Sequence, residues 1–129
     1  MILFFGALLG FVSVVFGAFA AHGLNEVVSE ASLKSLALAI NYNQINAVIV
    51  SAIGLAKIVN PNAIYMPLLN WSASLFIIGT GLFSFSIYLS VVFESPGLNS
   101  LTPLGGMLII AAWLLTAYVG FSNAKNTHE

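Results

Sequence analysis

Few side chains in this sequence can move a proton or hold a ligand. Of 129 residues, seven are charged: Glu26, Glu30, Lys34, Lys57, Glu94, Lys125 and Glu129, with no Arg and no Asp. There are two histidines, His22 and His128, and no cysteine. The lack of Cys excludes a disulfide framework, a thiolate zinc site and a Cys nucleophile. His22 and His128 do not supply membrane haem ligation or a His-rich iron site, so neither metal nor other cofactor is expected. A net charge of −1 gives no footprint for nucleic acid, which needs clustered Lys and Arg. There is no Gly-x-Ser-x-Gly and no Gly-rich phosphate loop. Ser84 and Ser86 have no His or Lys on their own helix, so they read as packing serines. No complete catalytic set is present, and the chain reads as a non-enzyme.

What remains is a polar cluster: His22, Tyr42, Asn43, Asn46 and Thr102. His22 stands beside Gly23 at the end of an apolar run, where a helix C-terminus stabilises the imidazolium. It is either a capping or hydrogen-bonding residue, or part of a site with the polar residues of the next helix or with Thr102. In that helix Ala39, Tyr42, Asn43, Asn46, Gly54 and Lys57 project within about 140° of one another at 100° per residue. Asn41, Gln44 and Ser51 lie on the other side. Polar side chains at membrane depth bond across helices or line a cavity. Both readings stay open here: interhelical fastening, or a small polar site beside the second helix.

The elements that position these residues are membrane spans. Apolar residues make up 60% of the chain and charged residues 5%, against about 25% charged in a soluble domain. Such a chain cannot cover a water-facing surface. The charges leave four free stretches, Met1–Ala21, Ser35–Ala56, Ile58–Phe93 and Ser95–Ala124, each long enough for the roughly 20 residues that cross a bilayer. Asn60-Pro61-Asn62 and Ser95-Pro96-Gly97 mark turns. The expectation is an all-α integral membrane protein: an antiparallel four-helix transmembrane bundle forming one domain over residues 1–129. Its helices should fall at about 1–21, 36–59, 68–93 and 104–121. In the first loop, Leu24, Val27, Val28 and Ala31 fall at helical spacing, with Glu26, Glu30 and Lys34 on another side. That predicts a short amphipathic helix at the interface, while Ser29 or Ser32 can cap the second span. Tyr65, Trp71, Tyr88 and Tyr118 lie toward span ends, as aromatic belts do.

Residues 1–21 also admit a signal-peptide reading, with Ala18-Phe19-Ala20 as a cleavage site. The run has no preceding Lys or Arg and exceeds the usual 7–15 residues, so a retained helix is expected. With four spans, Lys57 and Lys125 share a side with both termini and Lys34 lies opposite. The positive-inside rule then puts both termini in the cytoplasm.

Lipid removes the hydrophobic drive between helices, and small residues that allow close approach take its place. Gly6, Gly10, Ser13, Gly17 and Ala21 form one stripe along the first helix, which predicts that this helix sits at the centre of the packing. Ser72, Gly79, Ser86 and Ser90 in the third span, and Ala112, Thr116 and Gly120 in the fourth, offer further small positions. Gly105 and Gly106, at the start of the fourth span, extend the packing set.

Several ordered motifs carry a resemblance. They are Gly17-Ala18-Phe19-Ala20-Ala21-His22-Gly23-Leu24; Tyr42 with Asn46; Gly79-Thr80-Gly81-Leu82-Phe83-Ser84-Phe85-Ser86-Ile87-Tyr88; and Thr102-Pro103-Leu104-Gly105-Gly106 followed by Trp113. Over essentially its whole length the sequence resembles the domain-of-unknown-function 423 family, small bacterial inner-membrane proteins related to transmembrane protein 256. The resemblance implies a multi-pass protein of the cell inner membrane and brings no reaction, substrate or cofactor. Ala20 and Phe85 stand where the family pattern has Gly, and Asn46 where it has His; Asn46 can hydrogen-bond but cannot titrate. The leading expectation is a non-catalytic structural or interaction protein, with membrane lipid, another membrane protein or a homo-oligomer as partner. The alternative is a small-molecule or ion permease using Tyr42, Asn43, Asn46 and His22. An enzyme on lipid or quinone has only His22 in its favour. Small multidrug exporters of similar size use a buried carboxylate, and no span here contains one.

Overall fold

The computed structural model of the chain describes residues 1–24 and 26–126. His128, Glu129 and the side chain of Lys125 lie outside the described residues. Helix α1 (Ile2–Phe19) ends in a π-helical turn, Ala20–Leu24, and α2 (Glu30–Val59) runs back for 30 residues. The third span is α3 (Met66–Thr80), a π-helical turn Gly81–Phe85, and α4 (Ser86–Val92). A 3-10 segment, Pro96–Leu101, leads into α5 (Thr102–Asn126). Four of these helical runs, Ile2–Leu24, Glu30–Val59, Met66–Val92 and Pro96–Ala124, are long and apolar enough to cross a membrane.

The spans start where capping chemistry allows. Ser29 accepts the Ser32 amide at 3.2 Å and so fixes the N-terminus of α2, satisfying a donor that the helix cannot. Glu30 then pairs with Lys34 at 2.8 Å on the exposed face. That pair belongs to the first turn of α2, which begins six residues before the expected position. The described part of the first loop therefore holds no separate interfacial helix; its helical spacing is the π-helical end of the first span and the beginning of the second. Pro67 opens α3, a position where a missing N–H costs nothing. Glu94, with φ 51°, terminates α4.

Polarity is inverted relative to a water-soluble fold. Asn43, Asn46, Ser13, Ser72, Thr80 and Ser84 are fully buried, whereas Phe11, Leu114 and Trp71 are about two-thirds exposed. Only a hydrocarbon solvent makes that arrangement favourable. Lipid is the environment.

Helix α2 joins the first span to the third: it packs on α1, on α3 and on the π-helical turn and α4 beyond it. The heaviest pairings are α1 with α2 and α3 with α5. Helix α1 is thus peripheral rather than central. Gly6, Gly10 and Gly17 of its stripe meet α2 alone, its contact with α3 is minor, and most of its surface faces outward. The close crossings are made by four glycines. A Cβ on Gly6 would stand 2.6 Å from the Ser51 backbone nitrogen, and one on Gly54 would stand 2.6 Å from that of Leu3. A Cβ on Gly105 would meet the Phe83 nitrogen and lie 2.7 Å from the Gly79 oxygen, while one on Gly79 would lie 3.0 Å from the Gly105 oxygen. Gly10, Gly17 and Gly106 have ordinary spacing, 3.8 Å to Ala47, 3.9 Å to Ile40 and 3.7 Å to Phe83. Ala21 is exposed. Close approach matters only where backbone meets backbone, and that depends on where helices cross rather than on how many small residues line a face.

Candidate functional site

The polar residues divide into three groups that do not meet in one place. The first is a ladder between α2 and the third span. Asn46 donates through Nδ2 to Thr80 Oγ1 at 2.8 Å, and Asn43 donates through Nδ2 to Tyr88 Oη at 3.1 Å. Ser84, between Thr80 and Tyr88 on the third span, donates through Oγ at 2.8 Å to the carbonyl of Ala39, one turn before Asn43 on α2. All six residues, five through side chains and Ala39 through its carbonyl, are buried. Thr80, Ser84 and Tyr88 are four apart, and with the π-helical turn among them all three face α2. Tyr88 reaches Asn43 because long helical side chains lean toward their own N-terminus. Its ring lies flat on Phe16 of α1, centroids 3.9 Å apart. Tyr88 is therefore a core residue and not part of an aromatic belt; the buried amide of Asn43 draws the phenol inward. Oδ1 of both Asn43 and Asn46 has no hydrogen-bond partner among the described residues.

A second set joins the third and fourth spans. Ser72 Oγ donates to the Ala112 carbonyl at 3.0 Å and lies 2.6 Å from Thr116 Oγ1. Ser86 and Thr102 hydroxyls pair at 2.7 Å. Thr102 thus serves the α4–α5 end and does not approach Asn46. His22 is exposed in its π-helical turn, and Tyr42 faces outward, edge-on to Phe83 with centroids 5.1 Å apart. Of the five clustered candidates, only Asn43 and Asn46 share a buried environment. The partners Thr80, Ser84 and Tyr88 escaped the sequence reading, although their four-residue spacing opposite the asparagines was a usable signal.

The third group is a groove on the outer side of α1 and α2, about 750 Å³, lined by Gly6, Ala7, Gly10, Ala47 and Ser51 around Gln44. Gln44 is exposed there and makes no hydrogen bond within the described residues.

Comparison with known proteins addresses the family. The profile described as "protein of unknown function (DUF423)" matches residues 16–106, a stretch that contains the whole Asn43–Tyr88 ladder. The chain belongs to the DUF423 family. A UPF0382 membrane protein of Haemophilus influenzae is 31% identical over 117 residues, covering 91% of this chain and 90% of that protein. A UPF0382 membrane protein of Staphylococcus haemolyticus is 33% identical over 113 residues, covering 85% and 86%. The UPF0382 inner membrane protein YgdD of Escherichia coli is 26% identical over 113 residues, covering 88% and 83%. No solved structure matches this DUF423 member.

Proposed function

We propose that this DUF423 protein is a non-catalytic structural component of the cell inner membrane that acts by association, its partner being a second copy of itself. The observation that carries the reading is Gln44. It lies at the middle of α2, about 21 Å from either end at 1.5 Å per residue, and so near the centre of a hydrocarbon core about 30 Å thick, where its amide does not reach headgroups or water. A primary amide in hydrocarbon needs both a donor and an acceptor, and a second Gln44 across a twofold axis offers both. The surrounding glycines and alanines leave room for a helix to approach closely. Asn43 and Asn46, fully buried with their amide groups on the hydroxyls of Tyr88 and Thr80 in the third span, support fastening over a permeation site. Lys57 and Lys125 against Lys34 favour both termini in the cytoplasm, and the naming of the E. coli relative as an inner membrane protein supports that membrane.

The test is self-association in bilayers, followed by energy transfer between labelled copies. Gln44→Leu should weaken it about tenfold, roughly 1.4 kcal/mol, and Gly10→Leu should block it by filling the groove. Transfer unchanged by either substitution would remove the reading.

A further inference from the structure

A cleft of about 400 Å³ opens at the end of the bundle opposite the termini, between the start of α2 and the end of α4. Because Ser29 precedes one span and Glu94 follows another, the cleft lies in the headgroup layer. Its polar lining is Ser29, Ser32, Ser35, Ser90, Glu94 and Asn99; the rest is aliphatic, mainly valine. Ser90 is only 8% exposed, yet its hydroxyl opens on the cleft and has no hydrogen-bond partner among the described residues. Glu94 supplies the one charge in the lining. Lys34, the lysine on this side of the membrane, is engaged by Glu30 at 2.8 Å and does not line the cleft.

The backbone at Glu94 adds an independent point. The Ser95 amide donates to the Ser90 carbonyl at 3.0 Å and the Phe93 amide to the Leu89 carbonyl at 2.9 Å. Glu94, at φ 51°, holds the left-handed position that ends a helix in this way, a position that favours glycine. A carboxylate stands there although a residue without a Cβ fits better.

We propose that this cleft binds the phosphoethanolamine group, with the ammonium on Glu94, Ser90 and Asn99 and the phosphate on the serine row at the start of α2. A primary ammonium has three donors to place, and the carboxylate, hydroxyl and amide oxygens accept them. The Ser29 and Ser32 hydroxyls pair at 2.9 Å and so leave one of their two protons for the phosphate. Ser35 can exchange its 3.1 Å bond to the Ala31 carbonyl for a second, and the first turn of α2 favours an anion there. A quaternary headgroup has no donor and prefers aromatic walls, which this lining lacks. A headgroup carrying only negative charge meets Glu94 unfavourably. The aliphatic half of the cleft suits the glycerol end of a phospholipid, so a membrane phosphatidylethanolamine is the occupant.

The experiment uses the full chain in detergent, titrated with phosphatidylethanolamine, phosphatidylcholine or phosphatidylglycerol while bound lipid is counted by native mass spectrometry. Phosphatidylethanolamine should bind at least tenfold more tightly than either of the others. Glu94→Gln should abolish that preference. Glu94→Gly should also abolish it while raising the thermal midpoint of the lipid-free protein, which separates the ligand role from a structural one. Soluble phosphoethanolamine that displaces the lipid would assign the site to the free headgroup compound; failure to displace it would assign the site to the lipid. Equal binding of the three lipids, or a preference that survives Glu94→Gln, would overturn the proposal.

Discussion

Within four residues of α2, two kinds of amide meet opposite fates. Asn43 and Asn46 face inward, are fully buried and bond to the third span. Gln44, between them in sequence and at the same depth, faces the outer groove with no hydrogen-bond partner among the described residues. The chemistry is the same and the solvent is the same. What differs is whether another helix of the same molecule stands opposite. In hydrocarbon an amide is therefore informative about contacts inside the chain when it is paired, and about contacts outside it when it is not.

The comparison can be broken most severely at the backbone crossing that holds the inward side together. Gly105→Ala would push α5 away from Gly79 and Phe83, costing about 2–3 kcal/mol by overpacking. Gly10→Ala, in the outer groove with its nearest neighbour 3.8 Å away, serves as the tolerated control. Equilibrium unfolding in mixed micelles reads both. Next, Asn46→Ala should lose about 1–1.7 kcal/mol, near the upper end for hydrogen bonds between membrane helices, because Thr80 is left unpaired in the interior. A double-mutant cycle between Asn43→Ala and Tyr88→Phe should return a coupling of about 0.6 kcal/mol; zero coupling would mean that the 3.1 Å contact carries no energy. The smallest effect belongs to Gln44→Leu, which should leave the unfolding free energy within about 0.5 kcal/mol while weakening self-association. A large loss of monomer stability there would erase the distinction between the two sides.

The four spans were legible because a long run without charge has one stable solvent, and the charges and prolines punctuate the runs. The inward face of α2 was legible too, since Asn43 and Asn46 share an arc at helical spacing. Their partners were not. Which face of the third span meets α2 depends on the π-helical turn Gly81–Phe85, and that turn is stabilised by contacts across the bundle, such as Ser84 on the Ala39 carbonyl, rather than by local propensity. Tyr88 read as a belt residue because position along a span says nothing about rotation around it. The stripe on α1 misled for a related reason. Small residues permit a close crossing, but Gly6 makes one and Gly17 does not, because two straight helices diverge away from the point where they cross. The start of α2 was placed too late because a capping serine and an i,i+4 ion pair carry a helix beyond the hydrocarbon.

The pairing of α1 with α2, and of α3 with α5, has a consequence for biogenesis. Each heavy contact joins spans adjacent in the chain, so the protein is two helical hairpins set side by side. The first hairpin is complete once residue 59 has left the ribosome, and Gly6, Ser51 and Gly54 can lock it before the second exists. What is left for the end of synthesis is one lateral docking step, in which Thr80, Ser84 and Tyr88 find α2. Nascent chains halted far enough downstream for residue 59 to have cleared the ribosome should already hold a protease-resistant pair of helices.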